Sequence, residues 1–445
     1  MRYVLSLLLV IGITIIAYPQ DASSIIGELK QINSGIAALP CNTGSGNIIS
    51  NRGMNLFLAG KVGSYLSEES DLSYYKNNTT FNSADGILSL NHSLFQPTGA
   101  DLPVRSFMVV GVKAGIGRAL NKVNKTTGSN EFGFTLRQTW LGTTHTFYSP
   151  CNAGVGYTKS QRVIMDALRA GILSGIESDI LLKKGNFEES LTLIKSTDIP
   201  GQNMDSVKQK NRVAFYSNLK NDYDRKFADM QAQLLLNTNN YKKITSSWTS
   251  IIAYIPLIRE KFIAADNLLS PLERKFSYPL KLSLVHTRFI ESLKGGRLFL
   301  SIMGGASLNN SISGNAATRY TGSEYNFQGG KDSAGLIRLN SEFVYMGNYN
   351  KYITTFIKGK VVFIPPDWHF GLTAILEKNF GPYNALNGTF GIPIVLIDRY
   401  ANPSINFEFD IHYFDISNSV LPLIKVQDKV SIGVTIGVPF SKICY

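Results

Sequence analysis

Polar and apolar residues alternate with a period of two along much of this chain. The pattern is sharpest near the C-terminus, where apolar side chains occupy every second position between residues 430 and 440. The intervening positions hold small or weakly polar residues such as Ser431, Gly433 and Thr435. Because successive side chains of a strand point to opposite faces, this stretch predicts a strand with one unbroken hydrocarbon face. That face consists of Val430, Ile432, Val434, Ile436, Val438 and Phe440.

Two groups of such alternating segments flank a middle region of different character. The first group, residues 54–149, predicts four strands, which begin near Met54, Ile87, Met108 and Phe132. The second group, residues 281–445, predicts eight more, one of them over residues 337–345 and the last ending at Phe440. The total is about twelve strands, an even number, as expected of a barrel built from one chain.

The remaining segments carry helical spacing instead. Residues 23–39, within an N-terminal segment 21–53, repeat apolar side chains every three or four positions and predict a short amphipathic helix. Residues 160–269 predict an inserted helical domain of about four helices. Gly185 is predicted to separate two of these helices. The last helix, over residues 241–269, would be kinked at Pro256. The insert is rich in Lys, Asp, Asn and Gln, which predicts that it is exposed to water.

Composition narrows the protein class. Charged residues make up 17% of the chain, below the roughly 25% of a typical soluble domain, and 25 Phe and 21 Tyr are present. Arg2 and the apolar run over residues 4–17 predict a signal peptide, residues 1–20, and hence export. The next longest apolar run, residues 251–258, contains Pro256 and is too short for a spanning helix. A membrane-spanning form of this chain would therefore cross with strands.

These features resemble the outer-membrane β-barrel proteins of double-membraned bacteria, over residues 54–149 and 281–440. The C-terminal strand is similar to the recognition strand of that class, which ends on an aromatic residue, here Phe440, although residues 441–445 follow it. The resemblance implies a mainly β fold, a transmembrane antiparallel β-barrel of about twelve strands with an inserted α-helical domain. It also implies an outer-membrane location, with outer-membrane lipid and the barrel-assembly machinery as partners. The basic residues, by their charge, predict contact with the anionic groups of lipopolysaccharide or peptidoglycan.

Two functions fit this architecture. In the first, the barrel acts in transport or secretion across the outer membrane, and residues 160–269 gate it or receive cargo. In the second, it is a non-conducting envelope anchor or scaffold with a filled lumen, and the same residues dock another envelope protein. If the chain begins and ends in the periplasm, every connection after an even-numbered strand is periplasmic, and the insert, which follows the fourth predicted strand, lies there too.

Catalysis and nucleic-acid binding are not expected. The five histidines accompany no nucleophile motif and no metal-ligand spacing, so we predict no enzymatic activity, no metal and no cofactor. The net charge of +12 is scattered along an exported chain, which argues against a nucleic-acid partner.

Charged side chains on the polar faces of the predicted strands are candidates to line the lumen. They could set the selectivity of a pore, or they could cross-link neighbouring strands in a filled lumen. The candidates are Lys113, Arg137, Arg338, Glu342, Lys358, Lys360, Glu377, Glu408, Asp410 and His412. Cys41 and Cys151 occur in similar Pro-Cys-Asn contexts, and in an exported protein they either form a disulfide or remain unpaired thiols.

Overall fold

A computed structural model of the chain describes most of its predicted elements. The ranges described are residues 21–39, 43–62, 77–82, 87–94, 101, 104–115, 132–149, 160–193, 203–265, 271–312, 318–321, 343–382, 384–397, 403–419 and 429–440. The predicted signal peptide, Cys41, Cys151, Arg338 and Glu342 lie outside these residues.

Within the described ranges the chain forms helices and strands in a simple order. The helices are α1 Ala22–Ala37, α2 Asn51–Val62, α3 Gln161–Leu193 and α4 Met204–Thr238. The strands are β1 Asn77–Asn82, β2 Ile87–Ser93, β3 Ser106–Gly115, β4 Phe132–Leu141, β5 His145–Phe147, β6 Lys243–Pro256, β7 Glu260–Ala265, β8 Glu273–Ser277, β9 Lys281–Ser292, β10 Gly296–Asn310, β11 Thr318–Thr321, β12 Phe343–Met346, β13 Lys351–Ile364, β14 Leu372–Phe380, β15 Leu386–Ile397, β16 Pro403–Tyr413 and β17 Val430–Phe440.

Twelve antiparallel strands close into a barrel. Their order around the wall is β4, β3, β2, β1, β17, β16, β15, β14, β13, β10, β9 and β6, and β6 pairs back onto β4. β17, at the residues predicted for it, pairs with β16 and with β1, where Thr79 faces Val438 and Phe81 faces Ile436. β5 extends β4 along β6 after an irregularity at residues 142–144. The predicted fold class and the predicted number of strands are both correct.

The two faces of the wall differ as the alternation predicts. Outward side chains are large, apolar and exposed, as in Ile302, Leu372, Phe390 and Ile432, each at least 60% exposed. Inward positions of β17 are small, and Ser431 and Thr435 are buried. A closed barrel leaves no unpaired sheet edge, and an apolar exterior suits a hydrocarbon environment. No helix in the described part of the chain is long and apolar enough to cross a membrane.

Two of the twelve strands were predicted in the wrong places. Residues 54–62 belong to α2, because Met54, Phe57, Leu58 and Val62 are buried at helical spacing. A short apolar run fits either period, and burial against the barrel decides between them. The barrel strand β1 lies instead at residues 77–82.

The second error lies at the end of the insert. The prediction gave a helix over 241–269, but β6 spans Lys243–Pro256 and β7 follows. β-branched and aromatic side chains favour the strand, and its last residue, Pro256, sits where a strand tolerates proline. Conversely, residues 343–345 of the strand predicted at 337–345 belong to β12, in a separate sheet ordered β11, β12, β7, β8. The barrel strand missed at 243–256 and the strand wrongly assigned to the barrel at 337–345 compensate each other, so the predicted number of strands is unchanged.

The helical insert is also simpler than predicted. Over its described residues, 160–193 and 203–265, it contains two long helices, α3 and α4, in place of about four. α3 continues through Gly185, so the glycine does not end the helix. A single glycine inside a helix costs only about 1 kcal/mol relative to alanine. The paths of the strands bring both ends of the insert to the same barrel end as the start of β1 and the end of β17. We call this the helix end of the barrel.

The outer face of the wall predicts a sharp dependence on polarity. Ile357 lies midway along β13, points outward and is 52% exposed. Ile357→Arg should destabilise the barrel in lipid vesicles by about 2–4 kcal/mol, the cost of a cation near the bilayer midplane. The free energy of unfolding is measured by titrating the folded barrel with urea, and Ile357→Val is the control variant. Equal stability of the two variants would show that this face does not meet lipid.

Candidate functional site: the closed mouth of the barrel

Part of the inner wall at the helix end of the barrel is apolar. Large side chains from six strands point inward there and are buried together in one cluster. We call these residues the mouth ring; they are Phe107, Val109, Ile244, Trp248, Phe289, Phe299, Val362, Ile364 and Val395. An apolar ring of this size facing water would be unfavourable, so it requires a cover.

Helix α2 provides that cover. Its buried face, with Met54, Phe57, Leu58 and Val62, belongs to the same cluster as the mouth ring. The Phe57 ring meets the Tyr241 ring edge-on, with 5.9 Å between centroids. α2 is therefore packed against the inner wall without forming any part of it. The sequence contained a signal for this, because residues 54, 57, 58 and 62 repeat at helical spacing.

The N-terminus of α2 is held by side chains from two other elements. The Asp101 carboxylate, in the connection between β2 and β3, accepts hydrogen bonds from the backbone amides of Arg52 at 2.8 Å and Asn51 at 3.1 Å. Gln231 of α4 accepts one from the Ser50 amide at 2.7 Å. A carboxylate at this position satisfies free amides and complements the helix dipole.

The C-terminus of α2 is held by an ion cluster on the wall. Lys61 Nζ lies 2.8 Å from Glu291 Oε1, and Arg297 Nε lies 3.3 Å from the same oxygen. Burial lowers the pKa of the Lys61 ammonium, an effect that Glu291 partly offsets. Burial, together with the nearby Glu291, raises the pKa of the Tyr241 hydroxyl well above its usual range. Lys61 and Glu291 are largely buried, so loss of Glu291 would remove the charge that compensates the Lys61 ammonium.

A glycine allows α2 to approach α4 closely. A Cβ at Gly53 would lie 3.0 Å from Ser50 Oγ, 3.3 Å from the Ala228 carbonyl oxygen and 3.3 Å from Gln231 Cβ. A Cβ here would require its neighbours to shift by a few tenths of an ångström, and a large side chain would push the two helices apart. Asp224, one turn before Ala228 on α4, is also buried, and burial raises the pKa of its carboxyl.

Two buried arginines of α3 hold the segment that precedes α2. Arg162 donates through Nη1 to the Asn47 carbonyl at 3.1 Å and to the Tyr148 hydroxyl at 3.3 Å, and through Nη2 to the Ile36 carbonyl. Its Nε lies 3.1 Å from Asp166 Oδ1. The guanidinium thus joins the end of α1, the approach to α2 and the chain that leaves β5.

Arg169 repeats this arrangement two turns later. It donates to the Ile48 carbonyl, to Asn33 Oδ1 at 3.1 Å and to Asp166 Oδ1 at 2.6 Å. Burial lowers the pKa of the Arg169 guanidinium, and Asp166 works against that shift. We call Arg162, Asp166 and Arg169 the arginine clamp. Sequence analysis missed it, although both arginines share a helix face with Met165, Leu173 and Ile176.

The predicted lumen residues lie inward but do not form one cluster. Lys113, Arg137, Lys360, Glu408 and Asp410 are buried, and Lys358, Glu377 and His412 are partly buried. They sit on five strands, and most lie beyond the mouth ring, away from the helices. Whether they set any selectivity stays a prediction.

Several of these lumen side chains have identifiable neighbours. Lys358 faces Glu377 across the β13–β14 register, and Lys113 Nζ lies 5.0 Å from the centre of the Tyr254 ring. Glu408 and Asp410 converge over Gly391, where a Cβ would lie 2.5 Å from a carboxylate oxygen of each. No group of three potential metal ligands occurs among the described residues.

Comparisons with known proteins add little to this description. No protein-family model matches the chain, and no curated protein sequence matches it. Among solved structures, the chain is similar to the NanC porin, with 8% identity and a TM-score of 0.28, over 82% of this chain and 99% of that one. A TM-score this low carries no inference. The closed barrel and its apolar exterior point by themselves to an outer-membrane location.

The arginine clamp predicts a local effect on the approach to α2. Arg169→Met should destabilise the helical region by about 2 kcal/mol, because the buried Ile48 carbonyl and Asn33 lose their donor. Arg212→Met is the matched control, since Arg212 forms an exposed ion pair with Glu188 that contributes at most about 1 kcal/mol. Amide hydrogen exchange over residues 43–62 measures the difference. Equal protection in both variants would contradict a coupling role for Arg169.

The contact between α2 and α4 predicts opposite outcomes for two glycines of the same helix. Gly53→Leu should separate α2 from α4 and cost about 1–3 kcal/mol, as overpacking does. At Gly60 a Cβ meets nothing within 4 Å, so Gly60→Leu should be tolerated. Hydrogen exchange of the α2 amides distinguishes them, and similar protection in both variants would rule out the close packing described.

Proposed function

We propose that this protein is a non-enzymatic, gated transport channel of the outer membrane, with α2 as its gate. The observation that carries this proposal is the contrast between the two halves of the lumen. One half is lined by charged and polar side chains, and the mouth is closed by a helix that contributes nothing to the wall.

The lumen charges support a route for polar solutes. Cations and carboxylates both point inward, with Lys113, Lys358 and Lys360 on two strands and Glu377, Glu408 and Asp410 on two others. Opposite signs distributed around a lumen favour polar or zwitterionic cargo over a strong preference for either anions or cations. We propose that these residues line the path once α2 leaves the mouth.

Control of the gate is assigned to the helices outside the mouth. The arginine clamp bonds α3 to the carbonyls of Asn47 and Ile48, a few residues before α2 begins. Gln231 of α4 bonds to Ser50 in the same approach. A displacement of α3 and α4 would therefore pull on α2 directly. We propose that an envelope protein bound to this region supplies that displacement.

The proposed orientation puts the helix end in the periplasm. Both ends of the barrel wall, β1 and β17, start or finish there, as expected after signal-peptide export and insertion by the barrel-assembly machinery. The connection between β9 and β10 at this end is a tight turn of residues 293–295, whereas the opposite end carries the extra sheet of β7, β8, β11 and β12. Short periplasmic turns and longer external loops are usual for such barrels.

One observation favours a second candidate function. Lys360, Glu408 and Asp410 are each no more than 5% exposed, which fits a filled, non-conducting lumen. In that case the protein would be an envelope anchor or scaffold, and its helices would dock a partner without opening anything.

Planar-bilayer conductance separates these functions. Leu58 of α2 is fully buried against the mouth ring, whereas Leu56, two residues earlier, is 37% exposed. Leu58→Ala should weaken the closed state by about 2 kcal/mol or more and raise the open probability by about tenfold or more. Leu56→Ala should leave the open probability within about twofold of that of the unmodified protein.

The unmodified protein should show rare openings. If the unmodified protein, the Leu58→Ala variant and a variant lacking residues 51–62 are all folded and none conducts, the channel is excluded and the anchor function stands. Equal conductance of the Leu56 and Leu58 variants would instead exclude α2 as the gate.

A further inference from the structure

Three cationic side chains lie at the end of the barrel opposite the helices. Arg259 follows β6, Lys261 lies on β7 and Arg274 lies on β8, and all three side chains are exposed. Among the described residues, no carboxylate forms an ion pair with any of them. On β8 the neighbouring Lys275 differs, since it pairs with Glu273.

The strand register puts these cations on one face with an aromatic side chain. Lys261 faces Phe276 across the β7–β8 pair, and Ile263 faces Arg274, so Lys261, Arg274 and Phe276 project to the same side of that sheet. The Arg259 guanidinium lies over the rings of Phe276 and Tyr278, at 5.1 Å and 6.0 Å from their centres. We call these five residues the rim patch; they are Arg259, Lys261, Arg274, Phe276 and Tyr278.

The rim patch borders the apolar outer surface of the barrel. Leu257 and Ile258, just before Arg259, are 48% and 54% exposed, and Leu280 and Leu282, just after Tyr278, are 43% and 56% exposed. The chain thus passes within a few residues from apolar side chains that face hydrocarbon to cations and aromatic rings. This order matches the order of a lipid leaflet, acyl chains first and then the headgroup.

We propose that the rim patch binds the phosphorylated headgroup of a glycolipid in the adjoining leaflet. Arg259 and Arg274 present planar guanidinium groups that bind phosphate oxygens in pairs, and Lys261 adds a third charge. Phe276 and Tyr278 hold Arg259 in place by cation–π contact at the depth where aromatic residues anchor barrels. Exposed leucines beneath the patch accommodate the acyl chains of the same lipid. With the helices in the periplasm, this leaflet is the outer one.

The test compares lipid retention by purified protein in detergent, using native mass spectrometry. The probes are diphosphorylated lipid A, the same lipid with both phosphates removed, and phosphatidylglycerol. The unmodified protein should retain diphosphorylated lipid A about tenfold better than the dephosphorylated form, and better than phosphatidylglycerol. The triple variant Arg259→Gln, Lys261→Gln, Arg274→Gln should lose that preference.

A second triple variant controls for net charge. Lys208→Gln, Lys210→Gln and Lys242→Gln remove the same charge from the helix end and should leave retention within about twofold of the unmodified protein. Equal retention of phosphorylated and dephosphorylated lipid A, equal losses in the two triple variants, or a preference for phosphatidylglycerol would each overturn the proposal. None of these outcomes depends on whether the barrel conducts.

Discussion

Closure of the strand ladder is the constraint on which the rest of this molecule depends. A strand in hydrocarbon must pair its backbone groups on both sides, since each unpaired group costs several kcal/mol there. The β4–β6 and β1–β17 pairs complete that ladder. Once the wall closes, its twelve strands fix an interior whose mouth is apolar, and an apolar mouth must be covered. The position of α2 is therefore determined by the apolar mouth ring of the wall as well as by the sequence of α2.

The sequence predicted the strands of the barrel wall better than the elements packed against the wall, for a physical reason. Alternation with period two recurs in almost every strand, because one face meets hydrocarbon and the other meets the lumen. That signal is repeated many times, so two misplaced strands still left the count correct. α2 and β6 lack such redundancy. Each is a segment whose local pattern fits both a helix and a strand, and contacts with distant residues such as Phe289 decide the outcome.

The arginine clamp was unpredictable for a different reason. Arg162 and Arg169 would ordinarily mark the solvated face of a helix, yet here they are 1% and 0% exposed. Burial of a guanidinium is favourable only when carbonyl oxygens and a carboxylate surround it. The carboxylate, Asp166, lies on α3 itself, but the carbonyl oxygens belong to Ile36, Asn47 and Ile48, more than a hundred positions away in the chain. No spacing within α3 could reveal those carbonyl partners.

The wall has one further property that follows from its strand order. Apart from the closing pair β1–β17, each barrel strand neighbours the one that precedes it in the wall along the chain. Residues 148–242 are an excursion between two segments, β5 and β6, that pair with each other. Because loop-closure entropy grows only with the logarithm of length, such an excursion costs only about 3 kcal/mol more than a hairpin turn. A chain of this design can acquire or exchange whole helical units at one hairpin while its barrel topology stays the same.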